Sequence, residues 1–230
     1  MKPGLHKAVH VGCYFWTHLA KARITYLMTQ ISSLILGGVY LTKWDERPFR
    51  VLAFDDFQVY YDCFWPTLGT WTFGNIQRKG YYYSMTPQRF LEDSKFVRQQ
   101  PLTAPEFQIF RPDLPLRMCC NKFLSWTDQA FLELEKYIQY IKSRDVIFDD
   151  TIVLPITEIV LHPYGPQSGA VKPSVITSRN KEGFNCLELL WNAHNIQSVH
   201  IRDTQKTGIG IFRLGHEKKM PAYYIGNYYD

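Results

Sequence analysis

Between Gly37 and Met85 the apolar positions come in short runs, rich in aromatic and β-branched residues and cut by glycines and acids. That is the spacing of strands rather than of helices. Gly38–Thr42, Phe49–Phe54 and Phe57–Asp62 are predicted strands. The last two are joined at Asp55–Asp56, where an aspartate side chain can accept bonds from the backbone two residues on and so close a tight turn. Trp71–Phe73 and Tyr81–Tyr83 add two more, bounded by Gly69, Gly74 and Gly80. Short strands packed so closely along the chain, with residues that suit a pleated half-buried surface, predict a small SH3-like antiparallel β-barrel over residues 37–98.

Thr86-Pro87 predicts a short helix capped by the threonine, with proline at the first position, where its missing N–H costs nothing. Residues 99–117 carry Pro101, Pro105, Pro112 and Pro115 and are predicted to be a linker between domains. Beyond it, residues 118–230 read as a mixed α+β domain. A helix is predicted over Trp126–Arg144, with Ser125 as cap, Asp128 completing the capping box, and Ala130, Phe131, Leu134, Ile138 and Ile141 at helical spacing. Thr151–Leu161 reads as a buried strand broken at Pro155, and His162–Pro173 as a long loop. A second helix is predicted from Cys186 to Val199, capped by Asn185 with Glu188. Gly208–Arg213 and Ala222–Ile225 read as strands. The fold class expected is therefore α+β, with an N-terminal small β-barrel followed by a mixed domain.

Composition changes the picture in two places. Of 230 residues, 46% are hydrophobic, 16% aromatic and 20% charged, which excludes a disordered or collagen-like chain. The formal charge is +5, but Lys2, Lys7, Lys21 and Arg23 stand in the first 27 residues without an acid, and the first acid is Asp45. The rest of the chain is close to neutral, so a whole-protein field for a polyanion is not expected. Residues 1–36 read as a basic, acid-free leader; organellar import is one reading of it, a peripheral extension the favoured one. Ile24–Thr42 is uncharged, but Thr25, Thr29, Gln30, Ser32, Ser33 and Gly37–Gly38 dilute it, and no membrane span is expected. The five cysteines include no C-x-x-C pair. Neither a zinc ribbon nor a disulfide framework follows; Cys119–Cys120 read as small buried hydrophobes, and a reducing, cytoplasmic setting is the default.

The most enzyme-like cluster is His194 and His200 with Asp203. A histidine serves as general base, and a carboxylate can orient it. Six residues separate the two histidines, so they do not share a helix face as a metal-binding pair would, and a buried structural role is the simpler expectation for His194. His162 opens the long loop. The doublets Asp55–Asp56 and Asp149–Asp150 sit at turns rather than in a metal-binding pattern. The glycine-spaced segment Thr207–Gly215 lacks the residues of a phosphate-binding loop and reads as a strand with close backbone approach. No metal and no cofactor are expected. Arg78-Lys79 followed by Tyr81, Tyr82 and Tyr83, with Trp44 and Trp71 in the same segment, supplies the residue types that anchor interfaces. The function expected is a non-catalytic interaction protein or complex subunit that binds a protein partner through an aromatic β surface. A single-stranded RNA-binding subunit of a ribonucleoprotein is the first alternative, since tyrosine faces stack on bases while arginine and lysine hold phosphates. A hydrolase or nuclease using His162, His194 or His200 with Asp203 is the second.

Overall fold

A computed structural model describes residues 33–72, 82–103, 111, 113–144, 146, 148, 150–163, 172–200, 207–217 and 219–227. The chain divides into two compact units, residues 1–71 with 83–102 and residues 72–82 with 103–230. Both mix strands with short helices, strands predominating.

The first unit opens with a meander of β1 (Gly38–Thr42), β2 (Pro48–Phe54) and β3 (Val59–Trp65). Asp55 turns the chain between β2 and β3: its Oδ1 accepts from the backbone N–H of Phe57 and of Gln58, both at 2.8 Å. Those two residues belong to the turn, so β3 starts later than the apolar pattern suggests and runs on to Trp65. β4 (Thr70–Thr72) and β5 (Tyr83–Met85) follow, then α1 (Pro87–Asp93) and β6 (Ser94–Gln99). Thr86 Oγ1 caps α1 by accepting from Arg89 N at 3.4 Å, with Pro87 at the first position. β6 has only Phe96 and Val97 as apolar residues and is largely exposed, which is why no apolar pattern announces it. It is a strand because its backbone pairs antiparallel with β1, across a register shift at Val39/Tyr40.

The sheet order is β4-β3-β2-β1-β6, with β5 pairing β3. It is open among the described residues, not the closed SH3-like barrel expected. The ends of the order do not pair, and Phe90 of α1 fills the face that closure would otherwise have had to bury, packing against Tyr40 and Tyr61. With it in the core lie Leu34, Phe49, Val51, Val59 and Cys63. Gly37 is a glycine for a steric reason: its φ is 71°, and a Cβ there would run into the Gln100 carbonyl. The uncharged stretch Ile24–Thr42 ends in β1, and no helix of the described residues is long and apolar enough to cross a membrane.

The second unit holds β7 (Arg117–Ser125), α2 (Leu134–Lys142), β8 (Ile152–Leu154), β9 (Glu158–His162), β10 (Ser174–Thr177), β11 (Phe184–Asn185), α3 (Cys186–Ser198), β12 (Thr207–Glu217) and β13 (Met220–Asn227). A five-stranded sheet runs β10-β9-β13-β12-β7, with β13 and β9 parallel and the other neighbours antiparallel. β8 and β11 form a separate pair, so the stretch expected as one strand over Thr151–Leu161 splits at Pro155 between two sheets. In the glycine-spaced strand β12, the ring of Phe212 covers Gly210 where a side chain would stand, and stacks on Tyr224 across the ladder at 5.3 Å.

The long helix expected over Trp126–Arg144 is only its C-terminal half. Ser125 ends β7 instead of capping a helix, and Trp126–Glu133 is held non-helical by α3. Asn195 Oδ1 accepts from Phe131 N while its Nδ2 donates to Phe131 O, both at 2.8 Å, and Trp191 Nε1 donates to the same carbonyl at 2.7 Å. Tertiary bonds thus take the backbone groups that a helix would have used, and they override the periodicity. α3 itself runs as its cap predicts, Asn185 Oδ1 accepting from Glu188 N at 2.8 Å. The cysteine reading is overturned: Cys119 and Cys186 form a disulfide, their Cα atoms 5.4 Å apart across a sequence separation of 67. The partners were invisible in sequence because the strand and the helix that carry them meet only in the folded core.

Candidate interaction surface

Trp44 stands in the β1–β2 connection, a stretch that the chain braces from several sides. Thr42 Oγ1 donates to Asp45 O at 3.2 Å. Asp45 Oδ1 accepts from the Arg47 backbone N–H at 3.0 Å and from Arg47 Nε at 2.9 Å, and a second guanidinium nitrogen pairs with Asp45 Oδ2. The Arg47 hydrogen bonds hold the Asp45 carboxyl below its ordinary range. The guanidinium then lies over the Trp65 ring, 4.0 Å from its centroid. On the other side Lys43 closes the end of α1: its backbone N–H donates to Asp93 O at 2.8 Å and its Nζ to Glu92 O at 2.5 Å, satisfying carbonyls that a helix C-terminus leaves open.

The result is a rigid mount for Trp44, which remains 48% exposed while its ring rests 5.1 Å from that of the buried Phe49. From Phe49 the rings continue through Tyr61 at 5.2 Å to Tyr83, stacked on Tyr61 at 5.7 Å and 18°. Burial pushes the phenols of Tyr61 and Tyr83 up, so both stay neutral. On the β1/β6 side Tyr40 carries Phe96, ring to ring at 5.5 Å, and Phe96 is 42% exposed. Two exposed aromatic residues thus sit on a continuous buried layer of rings, with Lys95 and Arg98 beside Phe96 on an exposed strand. Exposed rings seated on a packed layer lose little freedom when they bind, which is the economy of an interface anchor.

Behind the same strands lies a charge pair. Arg50 and Asp62 face each other across β2 and β3 at 0% and 1% exposure. Arg50 Nε donates to Asp62 Oδ1 at 3.2 Å and its NH2 group to Oδ2 at 2.5 Å, and the guanidinium stacks over Trp71 at 4.3 Å.

The residues singled out in the sequence separate on this structure. Trp44, Trp71 and Tyr83 share the first unit, Trp44 exposed and Trp71 packed on Arg50 and on Phe64. Tyr82 belongs to the second unit, where it is buried and its backbone N–H donates to Leu214 O at 2.8 Å. Arg78, Lys79 and Tyr81 lie outside the described residues, as do Asp203, Asp149 and the loop from Tyr164 to Val171. His194 is fully buried among Trp126, Phe131, Tyr137 and Tyr140, and its Nε2 donates to Gln129 O at 3.1 Å. Desolvation pushes its pKa down, and the ring is neutral. His200 is exposed just beyond α3. His162 pairs with Glu217, Nε2 to Oε2 at 3.1 Å, a partner that spacing did not suggest because β9 and β12 meet only around β13. Among the described residues no group of three or more His, Cys, Asp or Glu side chains is placed to hold a metal ion. Phe96 was missed for want of any local signal, and Arg50–Asp62 because their partnership follows from the strand register.

No family model matches the chain, and no curated protein or solved structure is significantly similar to it.

Proposed function

We propose that the protein is a non-catalytic interaction module whose first unit binds a protein partner, with Trp44 as the principal anchor and Phe96 as the second. The observation that supports this most is the bracing of the Trp44 loop. Thr42, Lys43, Asp45 and Arg47 commit side chains or backbone to holding an apolar ring in solvent, where an unbraced loop would let the ring fold down. The partner offers an apolar or aromatic segment to the rings and acidic side chains to Lys95 and Arg98.

The test is capture of co-purifying molecules by the intact protein and by Trp44→Ala and Phe96→Ala, with identification by mass spectrometry and nucleic-acid sequencing. Neither substitution removes a bond that braces the loop or a fully buried ring, so both variants should fold. Removing an interface anchor costs about 2 kcal/mol or more, so affinity for the captured protein should fall by about thirtyfold in Trp44→Ala. Unchanged binding in both variants overturns the reading. Capture of single-stranded RNA, with affinity falling steeply as salt rises, would replace it with the ribonucleoprotein alternative.

A further inference from the structure

Arg213 stands on the core-facing side of β12, two residues after Ile211 and directly across the ladder from Tyr223, both of them core residues. The arginine is itself only 3% exposed. Its Nη1 group donates to the Tyr223 hydroxyl at 3.1 Å, and that hydroxyl donates in turn to Pro115 O at 3.2 Å. Tyr223 therefore offers the cation a lone pair and no countercharge. The rings of Tyr223 and Tyr82 flank the guanidinium, their centroids 5.1 Å and 5.9 Å from its central carbon. Tyr82 is held there by its backbone N–H, which donates to Leu214 O at 2.8 Å. The remaining nitrogens, Nε and Nη2, are buried and have no hydrogen-bond partner among the described residues.

Those two nitrogens act as a unit. Nε–H and one N–H of Nη2 leave the same edge of the planar guanidinium in parallel, at the spacing of two oxygens on one carboxylate or phosphate. This protein uses that edge on carboxylates elsewhere: Arg47 on Asp45, Arg50 on Asp62 and Arg111 on Asp113. Arg213 keeps the same edge uncommitted. Asp113 feels the Arg213 charge, but both its oxygens are already taken by Arg111. A charge withdrawn from water without a counter-ion is costly, and aromatic faces return only part of the loss. Beyond the irregularity between Arg213 and Gly215, His216 comes back to the same face, opposite Pro221, and is half-buried. Burial, and after it the Arg213 charge, hold the His216 ring below its ordinary range, so the two side chains are close. The face thus passes from buried Arg213 to half-buried His216 and on to exposed Lys219 in the β12–β13 turn.

We propose that Arg213 is the centre of a binding site in the second unit for a small oxyanion, whose two oxygens accept from Nε and Nη2. Tyr82 and Tyr223 wall the site and His216 stands at its mouth. A guanidinium so deeply set takes the terminal carboxylate or phosphate group of a small molecule, and the ligand supplies the missing countercharge.

The experiment uses the full chain, with acetate and inorganic phosphate as probes and chloride at equal ionic strength as reference. A probe at tenfold excess over its dissociation constant should raise the melting midpoint by about 5 °C. Acetate acting at the lower concentration assigns a carboxylate ligand, and phosphate acting at the lower concentration assigns a phosphorylated one. No rise with either probe overturns the proposal. Arg213→Met removes the cation and should abolish the rise; a rise that persists overturns the proposal. Arg213→Lys keeps the charge without the fork and should weaken binding about tenfold or more, whereas wild-type affinity in this variant overturns the two-oxygen geometry and the proposal with it. Should these variants not fold, nitrogen-15 NMR of the wild-type chain decides. The Arg213 Nε resonance should move on titration with the probe, while that of Arg50, committed to Asp62, stays in place. An Arg213 Nε signal that does not move overturns the proposal.

Discussion

The pair of Arg50 and Asp62 offers the sharpest energetic test of this fold. Both side chains are out of solvent, at 0% and 1% exposure, and the guanidinium uses two nitrogens on the two carboxylate oxygens. Asp62→Asn keeps the shape and removes the countercharge. What remains is a desolvated cation lying over the Trp71 face at 4.3 Å, without its countercharge. Breaking a buried pair from one side costs about 3–5 kcal/mol, and a desolvated cation–π contact returns about 2 kcal/mol only if it was not already made. Here it was already made, so the loss should be about 3 kcal/mol or more. At about 4–8 °C per kcal/mol for a domain of this size, the first unit's melting midpoint should drop by more than about 12 °C. Thermal and urea unfolding followed by tryptophan fluorescence reads it, since Trp44, Trp65 and Trp71 all report on this unit. The companion variant Arg50→Met with Asp62→Leu removes both charges and should recover most of the loss, to within about 1–2 kcal/mol of wild type. Added salt should change little, because a buried pair is poorly screened. Asp62→Asn within about 1 kcal/mol of wild type, or a double variant no better than the single one, would refute the reasoning.

Three further outcomes follow from particular contacts. Asn195→Ala removes both side-chain bonds to Phe131 and should destabilise the second unit by about 1–3 kcal/mol in urea unfolding, because Phe131 N–H then loses its partner inside the protein. Burial pushes the Cys63 thiol up to about 12, so iodoacetamide at mildly alkaline pH should label Cys120 in the native protein and leave Cys63 untouched until unfolding. His194 is held neutral by desolvation, with a folded pKa below its ordinary value, and His216 is shifted the same way by burial and by Arg213. The unfolded chain therefore binds these protons first, and stability should fall as pH drops from about 7 to about 5, with a shallower fall in His194→Gln measured by unfolding midpoints.

What the sequence carried openly was local. The Asp55 turn, the Thr86-Pro87 cap and the Asn185–Glu188 cap each use bonds between residues two or three apart, and each stands where its residues predict. What it concealed was set at a distance. Trp126–Glu133 has helical periodicity, yet Asn195 and Trp191 claim its backbone from 64 and 60 residues away. β6 has almost no apolar signal and exists through its pairing with β1. Adjacent Tyr82 and Tyr83, read together as one aromatic strand, belong to different units. The candidate surface was legible to the same degree. Aromatic content pointed to Trp44 and Trp71, but the brace that distinguishes Trp44 is made by Asp45, Arg47 and Lys43, charged residues with no motif among them.

The charge pair and the exposed tryptophan belong to one argument about register. An ion pair that aliphatic side chains should replace to within about 1–2 kcal/mol is not explained by stability alone. Its position explains more. Arg50 pairs with Val39 on one side and Asp62 on the other, which sets Phe49 against Tyr40 and Cys63. A slip of one residue between β2 and β3 would place Arg50 opposite Tyr61 or Cys63 and leave a buried cation without its counter-ion. It would also turn every side chain of the strand to the opposite face. Phe49 would leave the ring layer, and Trp44 would lose the surface it rests on. Apolar strands such as Val51-Leu52-Ala53 tolerate such slips, because one aliphatic residue packs much like another; a charge opposite its partner does not. The buried pair therefore penalises the misregistered sheets more than it stabilises the native one, and the feature it keeps in place is the aromatic platform beneath Trp44.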